Sequence, residues 1–110
     1  MVIMHGLFDL KPGVDEMDFK RVYTEFSNHL EQRGLISRSS FMRNRPDENY
    51  SSSPPSTRYY VSMTFDDAAG AQKCWDYIEA NELPSMLLHR DVNSKIIDYC
   101  FFLTEDVCME

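Results

Sequence analysis

The sequence predicts a single α+β domain whose elements follow the order βαββαβ. Two patterns indicate it: four segments have the composition of strands, with clear alternation of apolar side chains in the first and third, and two segments place apolar side chains at helical spacing. The length of the chain also fits a single domain, because 110 residues lie within the usual range of one domain. Hydrophobic residues make up 43% of the chain and charged residues 26%, an ordinary globular composition. We therefore expect residues 1–110 to share one core.

The first strand, Val2 to Leu10, has two unlike faces. Successive strand side chains point to opposite sides, so a mainly apolar set alternates with a set that contains His5 and Asp9. A helix is expected next, because Asp15 suits its N-cap and an apolar stripe at helical spacing runs over residues 19–30. This strand and helix form the first βα unit.

The second and third strands are predicted over Leu35 to Arg45 and Thr57 to Phe65. The connection between them, residues 46–56, is polar and rich in Ser and Pro, and we expect a long, mobile hairpin loop there. In the third strand one face is apolar, and the other carries Tyr60 and Ser62.

A second helix is expected after Asp66 or Asp67, either of which suits an N-cap. Its buried stripe is predicted to consist of Ala71, Cys74, Trp75 and Ile78. A short helical turn is predicted from Leu83 to about His89. The last strand is predicted from Asn93 to Thr104, with apolar groups on both faces, and the acidic tail from Glu105 is expected to fray.

This order is the ferredoxin-like βαββαβ arrangement, a four-stranded antiparallel sheet with two helices on one face. The more apolar strand faces are expected to meet the helices, which leaves His5, Asp9, Tyr60 and Ser62 on the open face. That face also carries aliphatic and aromatic groups. We therefore expect two copies to pack sheet to sheet as a symmetric dimer and to close a barrel-like space that serves as a small-molecule cavity. The alternative is a monomer with an amphipathic sheet face.

His5 is the first candidate functional residue. A histidine on a semi-polar strand face can act as an acid or base, or orient a ligand. Asp9 shares that face, but four residues along a strand span about 13 Å, so the two cannot form a hydrogen-bonded dyad within one strand. Asp9, Tyr60 and Ser62 are therefore predicted as separate ligand-binding residues of the cavity. The alternative for His5 is a structural histidine.

Three further candidates lie elsewhere in the sequence. His89 and Asn93 precede the last strand and are predicted to bind a ligand, although turn and capping roles are the alternative. Arg43 would bind a carboxylate or phosphate if its strand face lines the cavity. Surface ion pairs with the abundant acidic residues are the alternative for Arg43.

Composition argues against several classes of function. The formal net charge of −7 makes nucleic acid and anionic membranes poor partners. The three histidines have no carboxylate or cysteine at ligand spacing, so no metal site is predicted. The sequence contains no phosphate loop, GxSxG, GxGxxG or HExxH motif, and we expect no cofactor.

Three cysteines are too few and oddly numbered for a disulfide framework. We expect two buried thiols, Cys74 and Cys100, and one thiol in the tail, Cys108, in a reducing compartment. The N-terminus lacks the basic and long apolar regions of a signal peptide, and no segment approaches the roughly 20 apolar residues of a membrane span. A cytoplasmic location follows by exclusion.

Short motifs spread along the chain resemble a known group of proteins. They are His5-Gly6-Leu7-Phe8-Asp9-Leu10, Gly13-Val14, Gly34, Arg43-Asn44-Arg45 and Leu88-His89-Arg90-Asp91-Val92-Asn93. The chain resembles the dimeric α+β barrel superfamily, which includes antibiotic-biosynthesis-type monooxygenases. Within it, the motifs H-x-x-F-D-L and L-H-x-x-V-N are similar to those of a short bacterial family of unknown function. That family tends to have a tryptophan where Ser39 stands, and a Gly-rich turn in place of residues 51–55.

Three functional hypotheses follow. The first is a homodimer that binds a small organic ligand in a cavity lined by His5, Tyr60, Ser62 and Arg43. The second is a cofactor-independent monooxygenase-like or isomerase-like enzyme, with His5 as base and Tyr60 orienting the substrate. The third is a protein interaction module that uses the open sheet face or the proline-rich loop.

Overall fold

The computed structural model describes residues 1–48 and 50–107 and shows one sheet with helices on one side. The strands are β1 (Val2–Leu10), β2 (Arg38–Arg43), β3 (Tyr59–Phe65) and β4 (Ile96–Glu105). The helices are α1 (Glu16–Gln32), α2 (Ala68–Glu79) and α3 (Ser85–Asn93), with a 3₁₀ turn at Pro46–Glu48. All paired strands are antiparallel, in the order β2-β3-β1-β4. The predicted ferredoxin-like fold is confirmed, with a third helix before the last strand.

The predicted faces of the two central strands are confirmed. Gly6 of β1 lies opposite Val61 of β3 and Phe101 of β4, on the side of the sheet that the helices cover. His5 lies opposite Ser62 on the other side, which we call the open face. Buried side chains on the helix side, such as those of Val61 and Phe8, form the core with the apolar stripe of α1.

Helix α1 begins at the cap that its sequence predicts. The carboxylate of Asp15 accepts hydrogen bonds from the backbone N–H groups of Met17 and Asp18, at 3.1 and 3.3 Å. Such a cap stabilises a helix by about 1 kcal/mol because it satisfies N–H groups that lack partners within the helix. At the other end, Gly34 has φ +70°, and the N–H of Leu35 donates to the Leu30 carbonyl at 3.0 Å.

The second and third strands are shorter than predicted. Pairing runs only from Arg38 opposite Thr64 to Arg43 opposite Tyr59, so residues 35–37, 44 and 45 lie outside β2. Their apolar members still contribute to the core, since Leu35 and Ile36 are buried. The hydrophobic pattern therefore marked burial correctly but extended the strand beyond the residues that pair in register with β3.

The second half of the chain needs three corrections. Asp67 caps α2 through a 2.7 Å bond from the N–H of Gly70, and Ala71 and Cys74 are buried as predicted, but Trp75 is 53% exposed. Helix α3 continues to Asn93, where a turn and the start of the last strand were predicted. Cooperative helix hydrogen bonding outweighs the turn preference of the residues near its end. The last strand consequently begins at Ile96.

The last strand also corrects the prediction for the cysteines and the tail. Cys74 is buried, but Cys100 is exposed on the open face of β4. The strand includes Glu105, where fraying was predicted to begin. The remainder of the predicted tail beyond residue 107, with Cys108, lies outside the described residues.

Candidate functional site

A cavity of about 880 Å³ lies between the sheet and the helices. Its floor includes Met4 and Phe8 of β1, and its walls include Phe26 of α1, Trp75 of α2 and His89 of α3. Ligand pockets commonly have volumes of about 300–1,000 Å³ and mostly apolar walls. The sequence predicted a cavity behind the open face, whereas this one lies on the opposite side of the sheet.

The cavity opens to solvent beside β4. The side chains of Tyr99, Phe101 and Leu103 line it, yet they are 61%, 44% and 61% exposed. They are exposed because β4 is an edge strand, and the helices pack over the other strands of the sheet. The exposed aromatic and aliphatic side chains of this edge strand therefore form the entrance to the cavity.

Gly6 shapes the wall of this cavity. A Cβ atom at Gly6 would lie 2.5 Å from the Cε1 of Phe101 and 2.9 Å from the Cγ2 of Val61, both too close for non-bonded carbons. The absence of a side chain lets the Phe101 ring lie directly against β1. This close approach is a packing role for a glycine in the middle of a strand.

His89 and Asn93 supply polar groups to the cavity wall. They lie one turn apart on α3, and the Asn93 amide nitrogen is 3.1 Å from Nε2 of His89. Burial lowers the pKa of His89, so its ring is neutral at pH 7. A neutral ring nitrogen accepts a hydrogen bond or a proton, and the Asn93 amide can bind a hydroxyl or carbonyl group. These two predicted site residues therefore lie together, on a helix rather than in a turn.

His5 belongs to a different cluster, on the open face. Its Nδ1 lies 2.6 Å from the hydroxyl of Tyr60, and its Nε2 lies 2.8 Å from the hydroxyl of Thr104. Its ring also stacks on Phe102, with the ring centroids 5.0 Å apart. Both ring nitrogens have partners, which fits the structural alternative for His5. The neighbouring Ser62 hydroxyl pairs with that of Ser40 at 2.5 Å. A ligand role for His5, Tyr60 and Ser62 stays a prediction.

The two remaining predicted residues lie apart from both groups. Asp9 accepts a hydrogen bond from the backbone N–H of Arg58 at 2.7 Å, next to an irregularity in the pairing of β1 with β4. Arg43 pairs with Glu16 at 3.3 Å, and the Tyr59 hydroxyl donates to the same carboxylate. The guanidinium of Arg43 thus has the surface ion pair that was the alternative to ligand binding.

Sequence reasoning missed the aromatic residues of the cavity. Trp75 was placed in the core, and Phe101 was assigned only to an apolar strand. A signal was present at Gly6, because a glycine within an otherwise apolar strand indicates a close approach by another group. Which group approaches depends on the register of β1 with β4, which short-range patterns do not specify.

Residues 1–48 and 50–107 contain neither a metal-binding cluster nor a membrane-spanning helix. Within these ranges no three His, Cys, Asp or Glu side chains are grouped as a metal site. Within the same part of the chain, no helix is both long enough and apolar enough to cross a bilayer.

Several solved structures share this fold at low sequence identity. At3g17210 from Arabidopsis thaliana has a TM-score of 0.78 at 7% identity, covering 100% of this chain and 99% of that one. SnoaB, a cofactor-independent oxygenase from Streptomyces nogalater, has a TM-score of 0.64 at 10% identity, covering 99% and 97%. A dimeric ferredoxin-like protein of unknown function from Thermobifida fusca has a TM-score of 0.59 at 12% identity, covering 94% and 88%. These similarities establish the fold. The function has to be inferred from the geometry and chemistry of the site.

No curated protein matches the sequence significantly. One family model, however, matches residues 1–107, nearly the whole length of the chain. The chain therefore belongs to DUF6614, a family of unknown function.

Proposed function

We propose that this protein is a homodimer that binds a small, largely apolar organic molecule between the sheet and helices of each subunit. The observation that carries the proposal is the cavity of about 880 Å³, with aromatic walls and the His89–Asn93 pair. A mostly apolar pocket of this size, open to solvent and with a few polar groups in its wall, has the properties of a small-molecule site.

The proposed dimer uses the open face. Phe102 and Met42 are 45% and 57% exposed there, beside the half-buried Ile3 and Leu7. Apolar groups on a sheet face that no helix covers favour association of two copies about a two-fold axis. The similar protein from Thermobifida fusca is described as dimeric. The two described thiols are free, which fits the cytoplasmic location that we propose.

The neutral fluorophore N-phenyl-1-naphthylamine provides a test of the cavity. Trp75 is the only tryptophan and lines the cavity, so binding is expected to quench its emission with one site per subunit. Ala71→Phe fills the cavity and is expected to weaken binding about tenfold or more. Ala69→Phe is the matched control, because Ala69 is exposed on the same helix outside the cavity. Absence of binding, or equal loss in both variants, contradicts the proposal.

A second candidate function is a cofactor-independent oxygenase, and the neutral His89 ring in the cavity wall favours it. A neutral imidazole can remove a proton from a bound hydroquinone or phenol and so make it more reactive towards dioxygen. This candidate replaces His5 with His89 as the base, since His5 lies on the open face. The similarity to SnoaB supports only a shared fold and is not evidence for the reaction.

Oxygen uptake with 1,4-naphthohydroquinone tests this second candidate. We expect a rate above that of the protein-free solution, a loss of the excess rate in His89→Leu, and retention in His5→Leu. A wild-type rate equal to the protein-free rate, or equal rates in wild type and His89→Leu, contradicts catalysis by His89.

A further inference from the structure

The charge distribution of the cavity carries information about its ligand. Of its described lining residues, only Glu105 bears a full charge at neutral pH, and none is a lysine or arginine. Glu105 is exposed at the rim beside β4. The whole chain has a formal charge of −7, so the surrounding field is also negative.

An anionic ligand would lose its hydration in this cavity without gaining a partner of opposite charge. Burial of an ionised group without a counter-ion is strongly unfavourable, and proteins that bind carboxylates or phosphates normally place Arg, Lys or several backbone N–H groups at the anion. The Arg43 guanidinium, which was predicted to bind such a group, pairs with Glu16 instead. The cavity therefore disfavours carboxylates, sulfonates and phosphate esters.

The walls favour a ligand with rings. Phe8, Phe26, Trp75, Tyr99 and Phe101 come from four different elements and line the same space. Aromatic rings attract one another in offset-stacked or edge-to-face contacts, beyond the gain from burial alone. An aromatic ligand of about two or three fused or linked rings fits a pocket within the usual range of volumes.

We infer that the cavity selects an uncharged aromatic molecule and excludes its anionic analogues. This inference rests on the proposed function, and it adds the chemical class of the ligand. The absence of a lining cation, the rim carboxylate and the aromatic walls act together. Asn93 and His89 can form hydrogen bonds with a hydroxyl or carbonyl group of the ligand.

Two probes with the same ring skeleton test this inference. N-phenyl-1-naphthylamine is uncharged, and 8-anilino-1-naphthalenesulfonate is the same molecule with one sulfonate. We expect the sulfonate to bind about tenfold more weakly or worse, measured by titration at pH 7.5 well below the thermal transition. Equal affinity of both probes overturns the charge selection and leaves the proposed function standing. Failure of both probes to bind overturns the proposed function itself.

Changes in ionic strength and at Glu105 distinguish the effect of the cavity on sulfonate binding from the effect of the net surface charge. At about 0.5 M salt the surface field is screened, and we expect the discrimination to persist because desolvation of the sulfonate is unchanged. Its disappearance would assign the effect to net charge and overturn the inference. Glu105→Lys is expected to strengthen sulfonate binding more than Glu105→Gln does. Equal affinities of the two variants for the sulfonate would also count against it.

Discussion

The ring of Phe101 packs directly against Gly6, in the space that a side chain on the neighbouring strand would occupy. Phe101 lines the cavity, so this contact gives a first prediction. Gly6→Ala is expected to displace the ring and to lower the free energy of unfolding by about 1–3 kcal/mol in urea denaturation. Affinity for N-phenyl-1-naphthylamine is expected to fall as well.

The double variant is the control for this effect. If the clash with the ring dominates, Gly6→Ala costs less stability in a Phe101→Leu background than in the wild type. A penalty of equal size in both backgrounds would assign the strain to Val61, whose Cγ2 is also close. A stable Gly6→Ala variant with unchanged affinity would contradict the role of Gly6 altogether.

The open face gives a prediction about oligomeric state. Light scattering after size exclusion is expected to show a mass of twice the 12.9 kDa subunit. Phe102→Arg places a charge on the open face and is expected to yield monomers, because an unpaired charge is costly in an interface. Met17→Arg is the control, since Met17 is 60% exposed on α1. A monomeric wild type, or a dimeric Phe102→Arg variant, would refute the proposed interface.

Asn93 gives a prediction about hydrogen bonding in the cavity. Competition against the neutral fluorophore is expected to show tighter binding of 2-naphthol than of naphthalene. One hydrogen bond contributes about 1 kcal/mol, so Asn93→Leu should weaken 2-naphthol about fivefold and leave naphthalene unchanged. His5→Leu, on the opposite face, should change neither affinity. A naphthol preference that survives in Asn93→Leu would exclude this residue as the ligand's partner.

His29 gives a prediction about pH dependence. Its Nε2 lies 2.7 Å from the Tyr77 hydroxyl, and the Arg33 guanidinium donates to its Nδ1 at 3.2 Å. Burial, and then the charge of Arg33, lower the pKa of His29. The folded state therefore favours the neutral ring. Its stabilising contribution is present above the unfolded pKa of about 6.5 and is lost as pH falls through the lower folded value.

Urea midpoints at pH 7.5 and pH 5 measure this effect. The wild type is expected to lose more stability between these values than His29→Gln, which cannot titrate. His89 also has a lowered pKa, so some pH dependence should remain in that variant. Identical pH dependence in the two proteins would show that His29 does not contribute.

Local rules predicted much of the fold from the sequence. The alternation in β1 and the Asp15 cap depend on neighbours in the chain, and both are confirmed. The extent of α3 was wrong because His89 and Asn93 suit a turn as well as a helix. The choice between them depends on packing against α1, which the sequence pattern does not reveal.

The candidate site was harder to predict than the fold. His89 and Asn93 were predicted to bind a ligand, and they lie together in the wall of a cavity, but their ligand role stays a prediction. Trp75 was misassigned because it follows the buried Cys74 at the margin of the helical stripe, where a small rotation decides exposure. The cavity itself depends on how far the helices extend over the sheet, and that is a property of the whole tertiary structure.

The alternation of β4 has a consequence for how this family can change. Phe101 points towards the cavity and Phe102 towards the open face, so neighbouring codons affect different properties of the protein. For the proposed dimer and ligand site, substitutions can therefore alter ligand preference and subunit affinity separately. Loss or gain of one residue within β4, however, would exchange the two sets of side chains at once. We therefore expect natural variation in this strand to consist of substitutions, with insertions and deletions confined to the adjoining loops.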